Sequence, residues 1–140
     1  MKILLPVDGS DYTKRMLAYL AAHGELLPGD HQYTLFTVIE AYASRDANLA
    51  KAASTEAFMR DQAEQVLGPV RAFAQQQGWR FQTDHVPGPA AAAIVAKAEV
   101  LRPDMIIMGT HGRSPLSSLV LGSVSNDVLA NCKVPVLLIR

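Results

Sequence analysis

A glycine-rich segment late in the chain carries the residue types and spacing best suited to chemistry. Gly109, Gly112 and Gly122 are spaced G-x2-G-x9-G, and Ser123 follows the last glycine. Glycine allows a positive φ and lets a bulky anion approach the backbone amides closely. A helix that begins at Ser123 would offer an anion free N–H groups, a positive dipole end and two serine hydroxyls. Phosphate is the anion that best matches such a set of donors.

The residues alone leave two interpretations of this segment open. One is a phosphate site to which Arg113 adds positive charge, and the other is a tight turn followed by a capped helix. Two better-known phosphate signatures are absent, since the sequence contains neither G-x-x-x-x-G-K-[ST] nor a G-x-G-x-x-G after its first strand. The chain is therefore neither a Walker-type ATPase nor a standard dinucleotide-binding protein.

Alternating strand and helix patterns surround this segment. The predicted strands are residues 2–7, 33–39, Trp79 to Val86, Asp104 to Met108 and Val134 to Ile139. Apolar residues between the strands recur at helical spacing and form single faces. The order βαβαβαβαβ predicts a single-domain α/β protein with an open, doubly wound, five-stranded parallel sheet and helices on both faces.

Ligands of such sheets bind beyond the carboxyl ends of the strands, where the strand order reverses. Three segments reach that edge with unusual residues: Val7 to Ser10, Val38 to Ile39, and Met108 to Ser125. The functional site is expected there. The segment from Glu40 to Ser54 gives no firm signal and is expected to be a loop beside the site that leads into a helix.

Side-chain types also predict where helices begin and change direction. Asp8, Ser10 or Asp11 would cap the first helix, because a short oxygen side chain satisfies its free N–H groups. Pro69 falls inside the next helical pattern and predicts a kink or a brief break. Pro89 is expected to be the first residue of the following helix.

Composition narrows the class of protein. The chain has 140 residues, which predicts one domain over 1–140, and its 13 Lys+Arg balance 13 Asp+Glu. That balance argues against nucleic-acid binding or attachment to acidic lipid. Cys132 is the only cysteine, so neither an intrachain disulfide nor a thiolate metal cluster can form. With no apolar run near ~20 residues, the chain is expected to be soluble and cytoplasmic.

Four parts of the sequence resemble the universal stress protein (UspA-like) family, in that family's order. They are the opening ILLPVDGS, the segment Gly88 to Ile94, the segment Pro103 to Arg113 and the ending Val134 to Ile139. The spacing Gly109-x2-Gly112-x9-Gly122-Ser123 is similar to the family's nucleotide-binding pattern. The resemblance covers essentially the whole chain and implies a Rossmann-like fold of the adenine nucleotide alpha hydrolase-like type.

Members that carry the complete glycine pattern bind ATP, so the resemblance implies the ATP-binding class, with Mg²⁺ or Mn²⁺ held by the phosphates. It implies adenine and ribose contacts at Val7, Asp8 and Val38, and further ribose contacts at Met108 and Gly109. No catalytic residue is expected, and no set of residues in the sequence forms a dedicated metal cage. The nucleotide-binding residues that the resemblance implies are Pro6, Val7, Asp8, Val38, Met108, Gly109, Thr110, His111, Gly112, Arg113, Gly122, Ser123, Val124 and Ser125.

The resemblance also implies a homodimer formed through the last strand, Val134 to Ile139. Pro135 agrees with this, because proline confines a strand to a sheet edge, and an apolar edge needs a partner. The expected function is a nucleotide-sensing regulator of the stress response, with an unknown signalling partner and little or no turnover. Two alternatives remain: slow ATP hydrolysis or phosphoryl transfer assisted by Asp8 or His111, and a structural dimer whose loop binds nothing.

Individual side chains carry alternatives of their own. His111 would be a turn or ribose-side contact or a catalytic group, and Asp8 a cap or ligand contact rather than a base. A triad of Ser114, His111 and Asp8 is disfavoured because no G-x-S-x-G elbow is present. Ser114, Ser117 and Ser118 would form a polar loop or accept phosphate. Cys132 is expected on the last helix as a small apolar residue.

Overall fold

The computed structural model describes residues 1–40, 55–113 and 120–140, in which strands and helices alternate. The strands are β1 (Lys2–Pro6), β2 (Gln32–Ile39), β3 (Arg80–Pro87), β4 (Met105–Gly109) and β5 (Val136–Ile139). The helices are α1 (Asp11–Ala22), α2 (Glu56–Gln76), α3 (Ala90–Leu101) and α4 (Ser123–Asn131), and a 3₁₀ turn (Gly24–Leu26) follows α1. The expected loop before α2 falls mostly outside the described residues.

The five strands form one parallel sheet in the order β3-β2-β1-β4-β5, as the sequence predicted. The chain moves outward from β1 through β2 to β3, then crosses back to β4 on the other side of β1. This reversal opens a crevice at the carboxyl ends of β1 and β4. Strand β5 lies at the outer edge, as predicted, but Pro135 precedes the strand instead of lying within it.

Successive side chains of a strand point to opposite faces of the sheet, so each face has its own hydrophobic core. Ile3 and Leu5 of β1 pack with α1 and α2, whereas Leu4 packs with α3 and α4, and all three are fully buried. Each such side chain contributes about 1.5–3 kcal/mol of burial free energy. Because both faces of β1 are covered, its sequence is an unbroken apolar run rather than an alternating one.

Side-chain caps fix the amino ends of two helices. Ser10, one of three candidates, caps α1 by accepting a hydrogen bond from the Thr13 N–H at 3.4 Å. Thr55 caps α2 by accepting from the Phe58 N–H at 3.3 Å. Pro69 does not break α2, which runs through it. Proline has no N–H to donate to the carbonyl of Gln65, four residues earlier in the helix. Because Gln65 and Pro69 are both exposed, water can donate a hydrogen bond to that carbonyl instead.

Several predicted boundaries shift by a residue or two. Pro89 is the N-cap of α3 and not its first residue, because its ψ of 129° is extended. Arg102 ends α3 in the left-handed region at φ 48°, since the residue before a proline is disfavoured in the α region. The prediction that Cys132 lies on the last helix was wrong: it is the half-buried C-cap. None of the helices in the described ranges is long and apolar enough to cross a bilayer.

Candidate functional site

A cavity of about 700 Å³ lies at the carboxyl edge of the sheet, within the size range of small-molecule sites. All three segments expected at this edge contribute to its wall. The predicted binding residues that line it are Pro6, Val7, Asp8, Val38, Met108, Gly109, His111, Gly112, Arg113, Gly122, Ser123, Val124 and Ser125. Tertiary structure thus gathers residues that are more than a hundred positions apart in sequence.

Thr110 is the one predicted binding residue that does not line the cavity. It is 4% exposed, and its N–H donates to the Ile139 carbonyl at 2.9 Å. Its carbonyl accepts from the Gly122 N–H at 2.8 Å. Thr110 therefore joins the loop after β4 to both β5 and the start of α4.

The three motif glycines are required by close approaches within the protein itself. A Cβ on Gly109 would lie 2.8 Å from Tyr12 Cβ, and one on Gly112 would lie 2.6 Å from Asp8 Oδ2. A Cβ on Gly122 would lie 3.1 Å from the Thr110 carbonyl oxygen. The expected positive φ was wrong, because none of these glycines adopts one. Glycine is needed at these positions because there is no room for a side chain, and not because of the backbone angle.

The amino end of α4 opens into the cavity without a side-chain cap. Its N-cap is Gly122, so the N–H groups of the first turn lack the hydrogen bond that Ser10 and Thr55 supply to α1 and α2. The first helical bond runs from the Asn126 N–H to the Gly122 carbonyl. Three backbone N–H donors and the positive end of the helix dipole therefore remain for an anion.

The two serines at this helix end have different roles. Ser123 is exposed and lines the cavity. Ser125 is 2% exposed, and its hydroxyl donates to the carbonyls of Gly109 and Thr110 at 3.0 Å each. The Ser125 hydroxyl is thus used to hold the loop against α4, which leaves Ser123 as the free hydroxyl at this end.

Asp8 organises the turn after β1. Its Oδ1 accepts from the Ser10 N–H and from the Thr13 hydroxyl, both at 2.9 Å, and its own N–H lies 3.1 Å from Thr13 Oγ1. Arg113 Nε donates to the Asp8 carbonyl at 2.5 Å. Arg113 thereby bridges the loop after β4 to the turn after β1 and brings a positive charge to the cavity.

His111 packs against α1. Its ring centroid lies 5.0 Å from that of Tyr12, and its Nδ1 is 3.1 Å from the Thr110 hydroxyl. Ser114, the third member of the disfavoured triad, lies outside the described residues, as do Ser117 and Ser118. Over the described ranges, no three His, Cys, Asp or Glu side chains come together as a metal site.

The wall also includes residues that the sequence analysis missed. They are Thr13, Phe36, Thr37, Gln62, Gln65, Val66, Ala90 and Ile94, whereas Ile39 and Glu40, which also line the wall, belong to segments that were expected at or beside the site. No signal in the sequence marked Gln62 or Gln65 of α2, because an amide beside the apolar stripe is an ordinary residue of a helix surface. The contact between α2 and the sheet edge was not predictable, because no motif constrains the segment before this helix.

A doubly wound parallel sheet with a cavity at its carboxyl edge places the protein in the α/β class with a Rossmann-like arrangement. The model of the universal stress protein family matches residues 1–140, and the chain belongs to this family. The resemblance inferred from the four sequence segments is thereby confirmed.

Two universal stress proteins are similar to this chain in sequence over almost its full length. A universal stress protein of Thermus aquaticus is 35% identical over 140 residues, covering 99% of this chain and 97% of the relative. Universal stress protein MJ0531 of Methanocaldococcus jannaschii is 28% identical over 142 residues, covering 99% of this chain and 81% of the relative.

Solved structures show the same fold. The hypothetical protein MJ0577 superposes with a TM-score of 0.82 at 25% identity, covering 99% of this chain and 94% of the other. A family member from Arabidopsis thaliana, solved with AMP bound, gives 0.68 at 14% identity over 99% and 90% of the two chains. The Archaeoglobus fulgidus protein in complex with dAMP gives 0.65 at 18% identity over 100% and 98%.

Proposed function

We propose that the cavity binds ATP and that the protein is a nucleotide-sensing regulator of the stress response with little or no turnover. The uncapped amino end of α4 carries this proposal, because it directs three backbone N–H groups and the Ser123 hydroxyl into the cavity. Arg113 adds the positive charge that a polyphosphate needs. The cytoplasm, where ATP is abundant, is the expected location.

The Arabidopsis thaliana and Archaeoglobus fulgidus proteins, crystallised with AMP and dAMP, support an adenine nucleotide as the ligand class. ATP in particular is inferred here from the complete glycine pattern beside α4. The phosphates would lie at Gly112, Gly122 and Ser123. The ribose would lie near Asp8 and Gly109.

The base would occupy the apolar part of the cavity. Val38, Ala90 and Ile94 line it there, on the face of the sheet covered by α3. Apolar side chains suit the faces of a heterocyclic ring, and the phosphates stay with the polar donors at α4.

A divalent cation fits this arrangement through the ligand. Mg²⁺ is usually held by one or two carboxylates together with substrate phosphates. Asp8 Oδ2, beside Gly112, is the carboxylate oxygen available, since Oδ1 already accepts two hydrogen bonds. The cation would neutralise phosphate charge, while the donors at α4 and Arg113 orient the ligand.

Little turnover is expected from how the two candidate bases are held. Asp8 Oδ1 is engaged by Ser10 and Thr13, and His111 lies against Thr110 and Tyr12. A group that activates water has to be free to reach it. These contacts favour the sensor over the slow hydrolase.

The first experiment is to purify the protein without added nucleotide, denature it and identify the released molecules by mass spectrometry. Near-stoichiometric ATP would support both binding and slow turnover. Recovery of ADP after incubation of the ATP complex with Mg²⁺ for minutes would favour the hydrolase. An empty protein that binds no ATP at millimolar concentration would contradict the proposal.

Site variants should avoid the glycines, whose replacement strains the fold. Ser123→Asp places a carboxylate at the amino end of α4, which stabilises the helix but repels phosphate. We expect it to abolish ATP binding while adenosine still binds. Asn126→Asp adds the same charge to an exposed position of α4 outside the cavity wall and serves as the matched control. Calorimetric titration of both variants compares the affinities.

A further inference from the structure

The turn after β1 contains a hydroxyl and a carboxylate that bond to each other. The Thr13 hydroxyl donates to Asp8 Oδ1 at 2.9 Å, and the Asp8 N–H donates to Thr13 Oγ1 at 3.1 Å. Thr13 lies in the first turn of α1, where it lines the cavity and is only 5% exposed. Because water has little access to Thr13, these two hydrogen bonds tie the side chain of Asp8 to α1.

A second donor holds the same oxygen of Asp8. The Ser10 N–H donates to Asp8 Oδ1 at 2.9 Å. The last side-chain torsion of an aspartate is broad, so without donors the plane of its carboxylate can turn over a wide range. Two donors at Oδ1 fix that plane, and they thereby fix the direction in which Oδ2 points.

The other oxygen, Asp8 Oδ2, faces the loop that follows β4. A Cβ on Gly112 would lie 2.6 Å from Oδ2, which places this oxygen against the backbone of the glycine loop. Oδ2 has no hydrogen-bond partner among the residues that the structure describes, yet it is not a sealed atom. It is therefore open to the cavity at the end where we propose that the phosphates lie.

The negative charge of Asp8 is not balanced by a neighbouring cation. In the described part of the chain its carboxylate forms no ion pair, and Arg113 donates to the Asp8 carbonyl instead. A half-buried carboxylate beside a polyphosphate repels it unless a cation lies between them, because charges interact strongly where water is partly excluded. The geometry thus favours a nucleotide that carries a divalent cation over the same nucleotide without one.

We propose that Thr13 is a positioning residue, which holds the Asp8 carboxylate in the orientation that a cation on the nucleotide phosphates requires. This assignment rests on the proposed ATP binding and adds a residue that determines how strongly this binding depends on Mg²⁺. Mg²⁺ demands a nearly ideal octahedral arrangement, so each ligand oxygen has to point in a defined direction. Groups that hydrogen-bond a metal ligand supply that direction.

Thr13→Val tests the assignment, because it removes the hydroxyl and keeps the shape of the side chain. Thr13→Ala removes the same hydroxyl with a residue that favours the helix, which guards against misfolding of the valine variant. Thr13→Ser keeps the hydroxyl and should restore the behaviour of the wild type. Thr34→Val is the matched control, since Thr34 is 3% exposed and accepts a hydrogen bond from Gln82 but lies outside the cavity wall.

The measurement is calorimetric titration of ATP in excess Mg²⁺ and again in EDTA. We expect the wild type to bind ATP more tightly in Mg²⁺, so that the Kd in EDTA divided by the Kd in Mg²⁺ exceeds one. In Thr13→Val and Thr13→Ala this ratio should fall about threefold to tenfold, the effect of one hydrogen bond. Thr34→Val should keep the wild-type ratio. A purely structural role of Thr13 would raise both Kd values by the same factor and leave the ratio unchanged.

The assignment is overturned if the wild type binds ATP equally well in both solutions, because the Asp8 carboxylate then does not act on the cation. It is also overturned if Thr13→Val and Thr13→Ala keep the wild-type ratio, or if Thr13→Ser fails to restore it. Failure of the wild type to bind ATP in either solution would instead remove the proposed function. One set of titrations therefore separates the two failures.

Discussion

Gly112 illustrates how single residues at this site serve the fold as well as a ligand. A Cβ at this position would meet Asp8 Oδ2 at 2.6 Å, so alanine forces the carboxylate or the loop to move. We expect Gly112→Ala to destabilise the nucleotide-free protein by about 1–3 kcal/mol, measured by chemical denaturation. Asp8→Ala should reduce this cost in a double-mutant cycle.

Gly24→Ala is the control for that cycle, since nothing lies within 4 Å of its Cβ position. If Gly112→Ala were as stable as the wild type, the close contact with Asp8 would not matter. The glycine would then be required by the ligand only.

A charge pair at the α3 side of β3 gives a residue-scale prediction on pH. Burial by itself raises the pKa of the Asp84 carboxyl, but the hydrogen bond from Lys97, the His85 N–H and the Lys97 charge outweigh it and lower the pKa below its ordinary value. A carboxyl with a lowered folded pKa stabilises the protein above its unfolded pKa, near 4. That contribution disappears as the pH falls through the folded pKa.

In Asp84→Asn the free energy of unfolding should therefore fall less steeply than in the wild type as the pH is lowered below about 4. At pH 8 the variant should be less stable than the wild type by less than about 1 kcal/mol, because the Asp84 side chain is 43% exposed. Denaturation at a series of pH values measures this. An unchanged acid side would show that Lys97 does not act on Asp84 in solution.

At the scale of elements, the junction between β4 and α4 depends on Ser125. Its hydroxyl bonds the carbonyls of Gly109 and Thr110, whereas Ser123 faces the cavity. We expect Ser125→Ala to lower the free energy of unfolding by about 1 kcal/mol, since it removes the hydroxyl that donates to the Gly109 and Thr110 carbonyls, while Thr110 keeps the Gly122 N–H as a donor. Ser123→Ala should leave stability within about 0.5 kcal/mol and weaken ATP binding instead.

Unfolding and ATP titration of both serine variants provide the comparison. Equal losses of stability would mean that the two hydroxyls are not divided between the fold and the ligand. The two serine variants therefore test both the stability of the amino end of α4 and the binding of ATP there.

At the scale of the whole molecule, the unpaired edge of β5 is where we propose that two copies associate. No strand in the described part of the chain pairs with its outer side, and Val136, Leu137 and Leu138 remain half-buried. An apolar edge without a partner is an aggregation risk that dimerisation removes. We expect a dimer in sedimentation experiments and a monomer for Leu138→Lys.

Thr83→Lys, on the exposed edge strand β3 at the opposite side of the sheet, should remain dimeric. Circular dichroism would verify that both variants are folded. A monomeric wild type, or a dimer unaffected by Leu138→Lys, would contradict an interface at β5.

The order of elements, the parallel sheet, the glycine loop and the start of α4 could all be predicted from the amino-acid sequence. These follow from local patterns: apolar runs for buried strands, helical spacing, and proline or glycine at boundaries. The edge position of β5 was also predicted, but from Pro135, which the structure places just before the strand.

Which polar groups at the site are free to bind a ligand could be seen only in the folded protein. Ser123 and Ser125 are identical in type and two positions apart, yet one faces the cavity and the other is used by the loop. Thr37 looked like any strand threonine, and Gln62 like any helix amide. Both line the cavity because segments far apart in the chain come close together, and that closeness arises from packing rather than from any local pattern.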